Sequence, residues 1–234
     1  MIEAEWWDYD DEAEFAEAVA GDVAFIIESA LDARGQALVA FPGGSTPAPV
    51  FALLAKKPLK WKNVTIIPGD DRLVPVTDKL SNVAMIGKAF LPLGARVLPI
   101  APAETKDYRM AGKAADARLA DLHWPPDLVW LGVGDDGHTA SIFPGPDLDE
   151  ALNAPKARRA IGVMPDPLPA DAPVPRVTLT RAAILSARAI MIALKGKEKR
   201  AVLEKAIKDG PLSSVPVGRV LADAEQPIDI HWCA

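Results

Sequence analysis

The 234-residue chain has a single cysteine, Cys233, so no disulfide can form within it. It has three histidines, His123, His138 and His231, and with only one thiol they form no plausible zinc constellation. No apolar run approaches the roughly 18 residues that a bilayer-spanning helix requires. Positive charge is in deficit, with 26 Lys and Arg against 32 Asp and Glu, a net charge of −6 and a pI near 5.1. A nucleic-acid partner normally calls for a basic face, so neither nucleic acid nor membrane is expected as a partner. A small anionic ligand needs only a few well-placed cations and stays compatible with this balance. The first residues, Met1 to Glu12, are acidic and lack the basic-then-apolar order of a secretion signal. Together with the lone thiol, they lead us to expect a cytoplasmic protein.

What is present is a well-patterned α/β chain. Half of the residues are hydrophobic, enough for a sizeable core, and we expect a single domain over residues 1–234. Proline is abundant, at 22 residues, but scattered among turns; there is no repeat or low-complexity tail. Phe15, Val19, Val23, Ile26, Ile27, Ala30 and Leu31 recur at helical spacing, and Gly35 suits the position just past that helix. Strands are expected at Ala37–Phe41, Val64–Ile67, Val97–Ile100, Leu128–Val133, Ile161–Val163, Val177–Thr180, Ala189–Leu194 and Ile228–Trp232. Helices are expected around 50–55, from Ser81 to Phe90, from Tyr108 to Leu122, near 181–187 and over 197–209. The stretch 164–175 reads as a loop, as does the region of Asp149 and Glu150. Trp6 and Trp7 could mark an interface, but the N-terminal edge of a core is the simpler account. Alternation of strand and helix predicts a mostly parallel sheet with helices on both faces. Ligands of such folds sit beyond the carboxyl ends of the strands.

Polar loops follow several of these strands. Gly43-Gly44-Ser45-Thr46-Pro47 lies between strand and helix, where a close-approaching backbone, two hydroxyls and a helix start suit a phosphate. A plain capped turn explains the same residues equally well. Pro68-Gly69-Asp70-Asp71-Arg72, with Ser81-Asn82 downstream, could bind sugar hydroxyls and an anion, although a solvated surface turn is the simpler reading. A magnesium site on Asp70 and Asp71 is disfavoured, because adjacent carboxylates point apart in an extended chain. Gly132-x-Gly134-x-x-Gly137 matches a dinucleotide fingerprint formally, but it sits in mid-chain without the acid that should end the next strand. The more informative reading is a turn that presents Asp136 and His138 above a central strand. His138 lies between glycine and threonine, not on an apolar stripe, which favours a working role over a structural one. Lys197, after Gly196 at a helix start, is unfavourable against the helix dipole unless an anion is near, so it is a candidate cation. Arg176, alternating with Thr178 and Thr180, is a second. No Gly-x-Ser-x-Gly elbow is present for a serine triad.

GGSTP at 43–47, DDR with VP and SN over 70–82, GVGDDGHTASIFPG at 132–145, RVTLT at 176–180 and the Gly196-Lys197 turn resemble 6-phosphogluconolactonase, in order along nearly the whole chain. One departure is Asp71, where the family usually has glutamate, and Asp71 is therefore left out of the catalytic set. The resemblance implies a single Rossmann-like α/β domain, a fold shared with glucosamine-6-phosphate deaminase, and hydrolysis of 6-phospho-D-glucono-1,5-lactone in the oxidative pentose phosphate pathway, without metal or cofactor. It implies His138 as general base with Asp136 beside it. Gly43, Gly44, Ser45, Thr46, Asp70, Arg72, Asn82, Arg176 and Lys197 are the expected substrate-binding residues. Asp136 could orient the imidazole or bind a hydroxyl. Two rival functions remain at this point. A deaminase or isomerase usually carries an Asn-Glu pair soon after the histidine, whereas Thr139-Ala-Ser-Ile-Phe-Pro144 supplies no acid here. A non-catalytic sugar-phosphate sensor or dinucleotide module is the other. The assembly is expected to be a monomer or a small homo-oligomer.

Overall fold

The computed structural model describes residues 2–102 and 107–234. Its main element is a seven-stranded sheet in the order β1-β10-β9-β6-β2-β3-β5, with every neighbouring pair parallel. These strands are β1 (Ala4–Tyr9), β2 (Ala37–Phe41), β3 (Val64–Pro68), β5 (Arg96–Val97), β6 (Leu128–Leu131), β9 (Ala189–Lys195) and β10 (Ile228–Cys233). A second, three-stranded antiparallel sheet pairs β4 (Asp70–Arg72) with β8 (Arg176–Leu179) and β8 with β7 (Ala160–Val163). The helices are α1 (Glu12–Arg34), α2 (Pro47–Leu54), α3 (Asn82–Phe90), α4 (Tyr108–Ala120), α5 (Leu148–Asn153), α6 (Arg181–Leu185), α7 (Lys197–Asp209) and α8 (Pro216–Leu221).

The two-residue period of the strands divides the interior into two cores. Leu38 and Ala40 of β2, Val129 and Leu131 of β6, and Ile190, Ile192 and Leu194 of β9 face one side, against Ala111, Ala115 and Leu119 of α4, Leu203 of α7 and Val217 and Val220 of α8. Val39 and Phe41, Leu128 and Trp130, and Met191 and Ala193 face the other, against α1, α2 and α3. β2 and β6 are buried at every position, which is why they read as unbroken apolar runs rather than alternating ones. Around Phe41 a cluster of rings closes the second core: Phe51, Phe90 and Trp130 lie within 5.3–5.9 Å of it, centroid to centroid. Asp11 caps α1, its side chain accepting from the amides of Ala13 and Glu14, and Gly35 ends the helix in the left-handed region.

Several elements depart from the sequence reading. Residues 70–72, expected in a loop, form β4, because Arg176 and its neighbours supply a cross-strand partner 104 positions away that no local pattern announces. The expected strands near 161–163 and 177–180 exist as β7 and β8, but they belong to the antiparallel sheet and not to the parallel one. Residues 148–153, read as loop around Asp149 and Glu150, form the short helix α5, which buries Ala151 and Leu152. The strand expected over 97–100 is only the two-residue edge β5. Trp6 and Trp7 lie in β1, an edge strand parallel to β10, and the Arg200 guanidinium covers the rings of Trp6 and Trp232 at 4.9 and 4.4 Å. Among the described residues no helix is long and apolar enough to cross a membrane.

Candidate functional site

The carboxyl ends of β2, β3, β6 and β9 open into a cleft of about 250 Å³. Gly43 to Thr46, Asp70, Arg72, Asn82, Gly134, His138, Arg176 and Lys199 contribute to its walls. The crevice thus lies where a parallel sheet ends and its polar loops begin.

The 43–47 loop leaves β2 and turns directly into α2. Gly43 is packed so closely on the Asn82 side chain that a Cβ there would overlap it, so only glycine lets the loop reach this position. The sequence suggested that the helix start would supply free amides. Pro47 and Pro49 have none, and Thr46 makes no side-chain cap bond. Of the first three helical positions only Ala48 keeps an amide, so the donors on this wall come mainly from the loop amides and the Ser45 and Thr46 hydroxyls.

β4 sets the opposite wall. Its alternation sends Asp70 and Arg72 toward the cleft and Asp71 away from it. Both aspartates are buried, at 6% and 1% exposure, so the solvated-turn reading of this segment does not hold. The Asp70 carboxylate accepts from Ser141 Oγ at 2.5 Å, and Asn82 Nδ2 donates to the Asp70 carbonyl at 2.7 Å. Asp71 accepts from the amides of Arg72, Asn82 and Val83 at 2.7–3.1 Å and from Ser81 Oγ at 3.3 Å. It ties β4 to the start of α3. Burial pushes its pKa up to about 6, with these amide bonds working against the shift and the Asp70 charge adding to it.

Arg72 and Arg176 are direct cross-strand partners in the β4–β8 pair. Like charges in that arrangement repel. Among the described residues neither forms an ion pair with a carboxylate, and the Nε atom of each is buried without a hydrogen-bond partner. Arg72 Nη1 donates to Asn82 Oδ1, and Arg176 Nη2 donates to the Ala172 carbonyl at 3.2 Å. Burial, followed by the Arg72 charge, lowers the pKa of Arg176, while Asp70 partly offsets it. A buried and a half-buried guanidinium, each with an unspent Nε donor, are an arrangement that an anion would relieve.

His138 sits on a tight turn after β6. The Gly134 amide donates to the His138 carbonyl at 2.9 Å, and Gly137 turns the chain with φ 74°. A Cβ on Gly134 would overlap the imidazole, so that position too must be glycine. His138 Nδ1 is 2.5 Å from Asp136 Oδ1, which also accepts from the His138 amide at 3.1 Å. Burial disfavours the Asp136 carboxylate, but the His138 bonds and charge outweigh it and hold the carboxyl below its ordinary pKa. Asp136 does not border the cleft itself. It lies on the adjoining groove between Phe143 and residues 166–171.

Of the expected cations, Arg72 and Arg176 reach the cleft, but Lys197 is exposed and outside it. Lys199 takes that place, its Nζ 3.9 Å from Asp135 Oδ1. Residues two apart on a helix point to different sides. The Gly-Lys turn drew attention to the first lysine, and the angle at which α7 starts brings the second one in. Asp171, from the proline-rich loop, also lines the cleft and had no signal in the sequence. Among the described residues no three His, Cys, Asp or Glu side chains cluster as a metal site.

The fold and the cleft together define the class, an α/β protein with a crevice lined by glycine loops and basic side chains beyond its parallel strands. Residues 10–232 match the family model described as glucosamine-6-phosphate isomerases/6-phosphogluconolactonase. The chain is 36% identical over 230 residues to the 6-phosphogluconolactonase of Mesorhizobium japonicum, covering 97% of this chain and 94% of that protein. It is 34% identical to the one from Pseudomonas putida, covering 95% and 90%. The crystal structure of a 6-phosphogluconolactonase from Shewanella baltica superimposes with a TM-score of 0.90 at 30% identity, over 99% of this chain and 98% of that one. The Trypanosoma brucei enzyme gives 0.85 at 26% identity, over 100% and 97%. The chain belongs to the glucosamine-6-phosphate isomerase/6-phosphogluconolactonase family.

Proposed function

We propose that this chain is a 6-phosphogluconolactonase, hydrolysing 6-phospho-D-glucono-1,5-lactone to 6-phospho-D-gluconate in the oxidative pentose phosphate pathway. The observation that carries the reading is the placement of one imidazole, tethered through Nδ1 to a carboxylate, on the same cleft as two guanidiniums that form no ion pair among the described residues. A donor bond from Nδ1–H to Asp136 puts the lone pair on Nε2, where it can take a proton. Water attacks C1 of the lactone as Nε2 removes its proton, and a tetrahedral oxyanion forms. Collapse breaks the bond from C1 to the ring oxygen, which leaves as a hydroxyl after receiving the same proton from the imidazolium. One water is consumed and no electrons change hands, so the reaction needs no redox cofactor.

Asp136 acts as the orienting carboxylate in this scheme, because it bonds Nδ1 of the imidazole while bordering the adjoining groove and not the cleft. Arg72, Arg176 and Lys199, with the Gly43–Thr46 loop, hold the phosphate and fix the ring for attack. Asp70 and Asn82, joined through the Asp70 carbonyl, serve the sugar hydroxyls. The short, acid-free segment after His138 supports the lactonase over the deaminase branch of the family.

His138→Ala is expected to lower kcat by about two to four decades once spontaneous lactone opening is subtracted. Near-normal turnover in that variant would remove His138 from the role of base, and ammonia release from glucosamine 6-phosphate by the native protein would move it to the deaminases.

A further inference from the structure

The bond to Asp136 runs to a half-exposed carboxylate that can move with the imidazole, so it restrains χ1 and χ2 of His138 without locking them. A second contact on the flat of the ring would narrow the direction in which Nε2 points. Phe143, five residues along the chain, makes such a contact. Its ring stacks on the His138 imidazole with centroids 4.1 Å apart and planes 22° from parallel. The same ring lies 4.9 Å from the guanidinium carbon of Arg176. Among the described residues Arg176 otherwise has one hydrogen bond, to a carbonyl, and a buried Nε without a partner, so few polar contacts fix its head group. Phe143 is itself half-buried and borders the groove beside the cleft, not the cleft where the substrate is placed.

We infer that Phe143 is a positioning residue shared by the two ends of the site: its face sets the plane of the His138 imidazole and seats the Arg176 guanidinium. The inference rests on the lactonase reading given above. Its physics is general, since an aromatic face pairs with a flat ring by stacking and with a cation through its quadrupole. A ring that contacts both groups also keeps the distance between base and phosphate clamp constant. An ester carbon and a phosphate separated by the length of a hexose need that constancy, because misplacement by about 1 Å can cost a hundredfold in rate.

The test compares Phe143→Leu, which keeps an apolar side chain without a π-face, and Phe143→Tyr, which keeps the face, with His138→Ala assayed in parallel. In Phe143→Leu we expect kcat to fall about tenfold and KM for the phosphorylated lactone to rise several-fold, with an unchanged melting temperature. For unphosphorylated gluconolactone only kcat should fall. Phe143→Tyr should return both parameters to within about twofold of native. In proton NMR the His138 ring signals should be displaced by the Phe143 ring current in the native protein and in Phe143→Tyr, and should move toward free-imidazole positions in Phe143→Leu. Native kinetics in Phe143→Leu, equal damage in Phe143→Leu and Phe143→Tyr, or unaltered His138 signals in Phe143→Leu each overturn the inference. If His138→Ala is inactive while Phe143→Leu is native, only the role of Phe143 fails. If His138→Ala is itself near-normal, the lactonase mechanism fails first.

Discussion

Replacing Arg176 with methionine separates ligand binding from fold stability. The side chain is 3% exposed, sits opposite Arg72 across two strands, and keeps its Nε without a partner. Methionine retains much of the stem and removes the charge. On the stability side, loss of the like-charge pair returns roughly 0.2–1 kcal/mol, and loss of a buried unsatisfied donor returns about 1–3 kcal/mol. Against this stand the bond to the Ala172 carbonyl, worth about 0.5–1.5 kcal/mol, and the contact with the Phe143 ring, about 0.5–2 kcal/mol. The two sides nearly cancel, so the melting temperature should stay within about 4 °C of native. Binding has no such compensation. A charge-assisted bond to phosphate is worth about 1.5–3 kcal/mol, or roughly a 10- to 150-fold rise in Kd for 6-phosphogluconate. Calorimetry with 6-phosphogluconate and with gluconate, alongside thermal melts, measures both sides. A Kd within twofold of native, or an equal loss of affinity for the two acids, would refute the assignment of this guanidinium to phosphate.

Two further predictions concern Lys199, which the sequence did not mark, and Asp71, whose burial only the structure shows. Lys199→Ala should weaken 6-phosphogluconate binding several-fold, while Lys197→Ala should leave it within about twofold; the reverse order would show that the exposed lysine is the ligand. Asp71 has a folded-state pKa raised from 3.8 to about 6, so the fold favours its protonated form. That contribution, about 3 kcal/mol for a shift of roughly two units, is fully present below pH 4 and is lost as pH rises through about 6. Urea midpoints measured from pH 4 to 7 should therefore decline more steeply in native protein than in Asp71→Asn, whatever the absolute stability of the variant. Parallel curves would show that Asp71 does not titrate in this range.

The parallel sheet was legible because burial on both faces leaves a direct mark: Leu128–Leu131 and Ala37–Phe41 are apolar at every position, and both are fully buried strands. Helix α1 was legible for a related reason, its stripe from Phe15 to Leu31 being continuous and closed by Gly35. The small antiparallel sheet was not. Asp70, Asp71 and Arg72 are strand residues only because Arg176–Thr178 lies beside them, and a three-residue polar strand has no periodicity of its own to detect. α5 was hidden by the same shortness. At the site, the glycine loops and the Asp-Gly-His turn stood out because their residue types are costly anywhere else.

Local sequence alone determined the kinds of group on hand: a histidine flanked by glycine and threonine, a Gly-Gly-Ser-Thr turn, and arginines next to polar strand ends. Which of these share one cleft was decided by the tertiary structure, because side-chain direction depends on the register of distant strands and on the starting angle of a helix. That is why Lys199 and not Lys197 reaches the cleft, why Asp70 faces inward while Asp71 is turned into the scaffold, and why Phe143 comes to lie against both an imidazole and a guanidinium.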